Sequence, residues 1–425
     1  MVSPDIYRGW VVLGISILSF TSSAGIEASW GTMILCFRQD KYFPDSSLAQ
    51  LGAPFTVYCV FKISLSNFVF MALSEAGKLS LRQFIAVGIS LTMLGLVLAS
   101  FANGPHSVAI AFGIIYGTGD GLCSLSTYSL IALWFPWTHR FHVFSVTSLN
   151  VMEHLGGSIF NNVNAKMCET TLLGWRGVFR VYAATLTCFG LLLLLVFGNP
   201  PVTSSDVRDK GAIKESGLLQ KPAWSTCSKV GIYGIWAVAI CCKGFAYGLP
   251  FVILPKHTID LGYTEDEAGY VMAIFGIMGM VSEALSSCVG DYLKGNLLVV
   301  NLVAATVLII TNIAAAYSTS LTAIFVYGAV CGFSFGCLVY FSVNYEIMDG
   351  ENVATLFMTM RISEGIGNAV GPYFAGHVRD VSGSYFTVFL AIASCFGVFA
   401  LGTGVLIFIN KWRNFRGLEL MKNGS

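Results

Sequence analysis

Apolar residues run along this chain in long blocks, each broken by a short polar stretch. A helix needs about 20 residues to cross the hydrocarbon core of a bilayer. Twelve blocks reach that length: 9–37, 47–74, 80–101, 107–134, 141–162, 176–198, 229–254, 266–290, 295–317, 320–346, 354–377 and 384–410. Several are interrupted by Gly, Ser or a charge, so the regular spacing fixes their number better than their edges. The longest polar stretch, 199–228, opens Asn199-Pro200-Pro201 and carries Ser204, Ser205, Asp206, Arg208 and Asp209. It leaves six blocks on each side. The pattern predicts an all-α membrane protein of twelve transmembrane helices, in two six-helix bundles related by pseudo-two-fold symmetry. The expected division is 1–198 for the N-terminal bundle, 199–228 for a cytoplasmic linker, 229–410 for the C-terminal bundle and 411–425 for a cytoplasmic tail. The first block follows Arg8 and is too long for a signal-peptide core, so it reads as a retained span.

Composition narrows the class. Of 425 residues, 55% are hydrophobic and 11% charged, against roughly 25% charged in soluble domains. That excludes a soluble globular enzyme and a disordered chain. A net charge of +1 gives no reason to expect a nucleic-acid partner. The 45 glycines suit close helix–helix packing in lipid. Most of the twelve cysteines, Cys59, Cys123, Cys188, Cys241, Cys242, Cys331, Cys337 and Cys395 among them, sit inside apolar runs. They read as small buried hydrophobes and not as a disulfide framework. There is no C-x-x-C pair, so neither a metal nor a redox site is expected.

Basic residues set the orientation. With both termini in the cytoplasm, inner segments hold fourteen Lys and Arg and outer loops six. The remaining four, Lys62, Arg180, Lys243 and Arg361, fall within spans.

The halves also echo one another. Span five reads Asn150-x-x-Glu153-x-x-Gly156 and span eleven reads Arg361-x-x-Glu364-x-x-Gly367. Each puts a carboxylate and a glycine on one helical face.

An ionisable side chain within a span costs at least ~2.5 kcal/mol on insertion scales, and faces the bundle interior or a water-filled cavity. Arg361 and Glu364 are three apart and can pair; they read as an anion contact with its partner or proton site, or as a static internal pair. Glu153 and His154 are adjacent, so they point about 100° apart. Glu153, the repeat counterpart of Glu364, is the one favoured for the interior. Lys243 lies near the middle of span seven. Lys62 in span two is expected to pair with Asp120 in span four. Gly117-x-Gly119-Asp120-Gly121 lacks the strand–turn–helix context of a nucleotide loop and reads as a place where helices approach closely.

Four stretches carry a resemblance to a known family: Tyr7-Arg8-Gly9-Trp10-Val11-Val12, Trp134-Phe135-Pro136-Trp137-Thr138-His139-Arg140, the run from Gly248-Leu249-Pro250 to Asp260-Leu261-Gly262-Tyr263-Thr264, and Gly371-Pro372-x-x-Ala375-Gly376 with Asp380-x-x-Gly383-Ser384-Tyr385. With the span count and linker, they resemble the major facilitator superfamily, in its monocarboxylate transporter and oxalate/formate antiporter branch. There are departures. The usual loop between spans two and three is reduced to Ser74-Glu75-Ala76-Gly77-Lys78, while its second-half counterpart, Gly290-Asp291-x-x-Lys294-Gly295, is closer. Where monocarboxylate carriers place a lysine in span one and an Asp/Arg pair in span eight, this chain has Gly31, Gly279 and Glu283. The usual carboxylate clamp is therefore absent or relocated, with Lys243 the candidate for a relocated positive charge.

The resemblance implies a secondary active transporter, not an enzyme, that moves a small organic solute by alternating access: a monocarboxylate-like organic anion or an amino acid, with proton coupling open. The implied substrate-binding set is Glu27, Trp30, Lys243, Glu283, Arg361 and Glu364. The implied proton-coupling set is Glu283, Glu153 and Glu364. Expected partners are the solute, the lipid bilayer and protons, with no nucleic acid, cofactor or metal; the expected location is the plasma membrane. The alternative is a nutrient-sensing receptor on a transporter fold, without net transport. An intramembrane enzyme finds no nucleophile–base or metal-ligand constellation.

Overall fold

The computed structural model describes residues 4–28, 30–38, 40, 43, 48–75, 79–169, 174–196, 226–338, 341–348 and 353–422. Among these residues the chain is helical, with no strand. The helices group into twelve spans. In the first half they are Pro4–Ala28 with Trp30–Arg38, Leu48–Val60 with Ser66–Glu75, Leu81–Ser100, Pro105–Val108 with Gly117–Trp134, His142–Glu169 and Gly174–Val196. In the second half they are Thr226–Tyr247 with Leu249–Asp260, Glu265–Val289, Leu297–Tyr317, Leu321–Gly336 with Phe341–Met348, Val353–Ser382 and Phe386–Lys422. Spans two and four each pass through a π-helical segment, Phe61–Leu65 and Ala109–Tyr116. The last helix runs past the expected boundary at 410, and residues 197–225, most of the expected linker, lie outside the described residues.

Nine of the described segments are long and apolar enough to cross a membrane on hydropathy alone. Spans five, ten and eleven are not among them. Spans five and eleven carry the repeated carboxylates and several asparagines. A helix that faces other helices can hold such residues, because neighbouring spans shield them from lipid.

The two halves pack alike. Span one lies on span five as span seven lies on eleven; three pairs with six as nine with twelve; two pairs with four as eight with ten. Between halves, span five packs on span eight and span two on span eleven. Glycines set the closest of these approaches. A Cβ on Gly156 would lie 2.0 Å from the carbonyl oxygen of Thr21 in span one, and one on Gly367 would lie 2.1 Å from that of Cys241 in span seven. The glycine of the repeated motif thus does the same job in both halves. Gly279, at one of the missing clamp positions, packs its backbone against Gly336 of span ten.

At the end of the bundles where span one begins, the halves are joined by a latch. Asp291, in the turn after span eight, accepts hydrogen bonds from the backbone N–H of Val143 (2.9 Å) and Phe144 (3.0 Å). These belong to the first turn of span five, where unsatisfied N–H groups and the helix dipole favour a carboxylate. Lys294 pairs with Asp291 at 2.9 Å and donates to the His139 carbonyl at 2.6 Å. Trp137 stacks on Tyr345 across the same seam, with ring planes 6° apart.

One cysteine departs from the buried-hydrophobe expectation. Cys36, at the end of span one remote from the N-terminus, is disulfide-bonded. Nine further cysteines, Cys59 and Cys331 among them, are free.

Candidate functional site

Among the described side chains, most of the charges deep within the spans gather into two sets, one in each half. In the first, Lys62 of span two bonds to Glu27 of span one and lies 3.1 Å from Asp120 of span four. Tyr58 Oη contacts a carboxylate oxygen of Glu27 and, at 2.9 Å, one of Asp120. Ser23 donates to the other Asp120 oxygen at 2.7 Å, and its Oγ lies 3.5 Å from Tyr116 Oη. The sequence argues for this geometry locally. A Cβ on Gly117 would lie 3.1 Å from the Tyr58 carbonyl oxygen and one on Gly121 would lie 2.6 Å from that of Lys62, so the glycine-rich stretch lets span four approach span two closely. Both π-helical segments touch the set: Lys62 sits inside one and Tyr116 ends the other. Segments of this kind are frequent at functional sites.

In the second set, Glu364 of span eleven bonds to Lys243 of span seven and, at 2.7 Å, to Arg361 one turn earlier on its own helix. A Cβ on Gly244 would lie 2.5 Å from the Glu364 carbonyl oxygen, a close approach that lets Lys243 reach Glu364. Lys243 is 0% exposed and lies 4.7 Å from the centre of the Tyr247 ring. Glu283 of span eight is buried, near enough to act electrostatically on Lys243. Arg361 is the most open of these charges, with 30% of its side chain exposed, against 20% for Glu27 and 7% for Glu364.

The expected residues are thus partly assembled. Arg361 and Glu364 form the pair anticipated for them. Lys62 meets Asp120 as expected, and Glu27 joins them. Lys243 is spent on Glu364 and is not open to a solute. Trp30 joins neither set: its ring is buried against Phe37, Phe55 and Phe112, and its Nε1–H donates to the Leu51 carbonyl. The side chains of Glu153 and His154 lie outside the described residues. Sequence reasoning missed Ser23, Tyr58 and Tyr116. Their signal was present: Ser23/Glu27, Tyr58/Lys62 and Tyr116/Asp120 are each four apart, a polar group one turn before an ionisable one on the same face.

An apolar groove of about 460 Å³ on the outer face of spans eight, nine and ten is lined by Met278, Val303, Val307 and Phe333. It offers no charged group to a polar solute, so the two charged sets are the candidate site. Among the described residues no group of His, Cys, Asp and Glu is placed to hold a metal.

Comparison with known proteins agrees with this architecture. The sequence model of the Major Facilitator Superfamily matches residues 11–372. Monocarboxylate transporter 13 of Bos taurus is 25% identical over 417 residues, which cover 95% of this chain and 90% of that protein. The hexuronate transporter of Bacillus subtilis is 24% identical, covering 83% of this chain and 84% of its own. The solved structure of the proton:xylose symporter XylE superposes with a TM-score of 0.70 at 16% identity, over 96% of this chain and 97% of that one. The family model spans most of the chain, and the chain, an integral multi-pass membrane protein and not an enzyme, belongs to the Major Facilitator Superfamily.

Proposed function

We propose that this chain is a secondary active transporter of the plasma membrane. It carries a small carboxylate-bearing solute, an organic anion or an amino acid, by alternating access of residues 1–198 and 229–410 about the linker 199–228. The carrying observation is the Arg361–Glu364–Lys243 arrangement. Glu364 is met by two cations, and the more open one is a guanidinium. Its five N–H donors in a fixed fork can bind Glu364 and a solute carboxylate together. The names of the relatives, monocarboxylate and hexuronate carriers, share that carboxylate.

A proton route follows from charge balance. Lys243 and Arg361 balance Glu283 and Glu364 before any solute enters. An anionic solute adds an uncompensated negative charge in a poorly polar interior, where one carboxylate then favours its neutral form. Glu364, held between two cations, is the least suited to take that proton. Glu283 is the better carrier, and Glu27 the better polar contact on the opposite half.

Arg361→Lys is the test. It keeps the charge and loses the fork, so uptake of labelled carboxylates should fall about tenfold or more, with protein abundance unchanged. An unchanged apparent affinity in that variant would assign Arg361 to the internal ion pair alone.

A further inference from the structure

Span one is interrupted beside the first charged set. Its first helix ends at Ala28, one residue past Glu27, and Trp30–Arg38 follows as a separate helix of nine residues. So short a helix takes its stability from packing. Trp30 stacks on Phe112, and Phe37 meets the edge of Trp175. Just beyond the helix, Asp40 accepts a hydrogen bond from Trp175 Nε1 at 2.7 Å and pairs with Arg176 at 2.7 Å, which ties the segment to span six.

Cys36 adds a covalent tie, since it is disulfide-bonded. The chain has twelve cysteines. Nine further ones are free, which leaves Cys168 and Cys227 as partners. Their side chains lie outside the described residues, but the helices that carry them do not. Cys227 is in the first turn of span seven. Spans one and seven begin at the same end of the bundles, so about 30 Å of hydrocarbon core separates Cys227 from Cys36. A disulfide needs its Cα atoms within about 7 Å. Cys168 is in the last turn of span five, at the same end as Cys36.

The register of the two helices agrees. Spans one and five run parallel and face to face. A Cβ on Gly156 would lie 2.0 Å from the Thr21 carbonyl oxygen, and one on Gly25 would lie 2.7 Å from Phe160 Cβ. Asn164 Nδ2 donates to the Gly25 carbonyl at 3.3 Å. Positions 156, 160 and 164 form one row along span five, four residues apart, and 168 is its next member. Met167, beside it in the chain, packs against the same aromatic cluster as Cys36, and Trp30–Arg38 packs on span five.

We propose that Cys36 and Cys168 form a disulfide that braces the second helix of span one against span five, at the far end of the first bundle. With Asp40 on span six, it makes spans one, five and six one unit at that end. A dithiol undoes the brace: the S–S bond breaks, each cysteine gains a hydrogen from the reductant, and the reductant closes to its own disulfide.

The test is peptide mapping of the purified full-length protein in detergent, with free thiols blocked by N-ethylmaleimide and no reductant present. Mass spectrometry should find the Cys36 peptide joined to the Cys168 peptide, the pair parting after reduction, and Cys227 carrying the maleimide. Cys36 blocked before reduction, or joined to Cys227, overturns the pairing. Thermal unfolding reads the brace. A dithiol should lower the wild-type midpoint. Cys36→Ser, Cys168→Ser and the double variant should share that lowered midpoint and ignore the dithiol, because both cysteines make one bond. Additive losses in the double variant, or a wild-type midpoint unmoved once mapping shows the bond cut, overturn the brace. The wild-type comparison stands by itself if a variant does not accumulate. No solute enters these measurements, so their failure is distinct from failure of the carrier reading.

Discussion

Gly156 and Gly367 are the residues on which the packing of each half turns. A methyl at either would lie within 2.1 Å of a carbonyl oxygen on the facing helix, with only backbone there to yield. Gly156→Ala and Gly367→Ala should each destabilise the protein by about 1–3 kcal/mol, read as a lowered midpoint of thermal unfolding in detergent. Gly404, where an added methyl would meet nothing within 4 Å, is the control: Gly404→Ala should stay within about 0.5 kcal/mol of the parent. Equal effects at all three would detach the motif from helix packing. At this scale the sequence was informative where spacing on one helix decides the contact, as for Arg361 with Glu364. It also placed Lys62 with Asp120. It was uninformative where a side chain's exposure decides its role. Trp30 is one turn from Glu27, yet it turns into an aromatic cluster while Glu27 meets Lys62. Lys243 looked like a charge open to solute, but its burial against Glu364 depends on how closely two distant helices approach.

Helix ends supply some of the contacts between the halves. The latch joins the first turn of span five to the turn after span eight, and His139 lies in the connecting loop 135–141. Burial holds His139 below its ordinary value of 6.5; Lys294 and Arg140 push the same way, while Asp291 opposes them. His142 is its other titratable neighbour. The closed latch therefore binds fewer protons at His139 than an open one would. Closure gains from this site above the ordinary value and loses that gain as pH falls through the lowered one. Acidifying from about pH 7.5 to about pH 5.5 should raise the open fraction, measured as the distance distribution between spin labels flanking 140 and 296. His139→Gln should flatten that response. Asp291→Asn, which removes the charge at the helix N-terminus, should raise the open fraction at every pH. A distance distribution that ignores both pH and Asp291 would show that the latch does not hold the halves. The sequence exposed Gly290-Asp291-x-x-Lys294-Gly295 as a counterpart of the loop between spans two and three. It could not show that the carboxylate reaches across to span five, because no local pattern links positions 148 residues apart. The π-helical segments were equally hidden, since their hydrophobic pattern is that of an ordinary span.

The duplication of the whole molecule was legible because it is written in span count, spacing and one repeated motif. The matching contacts of spans one to six and seven to twelve agree with it. The division into charged sets was not legible, since it needs three helices at once. Its consequence is a chain with one charged set in each bundle; the carrier reading assigns the solute carboxylate to the second set, at Arg361. The most direct measurement is accumulation in proteoliposomes. Purified protein would be offered a panel of labelled monocarboxylates, hexuronates and amino acids, with and without an inwardly directed proton gradient, and compared with Arg361→Lys and with empty vesicles. A carrier of this kind should show saturable accumulation of at least one carboxylate-bearing solute, raised by the gradient and lost in Arg361→Lys. Binding of such a solute, seen as thermal stabilisation, without accumulation under any gradient would contradict that and make the protein a sensor built on a transporter fold.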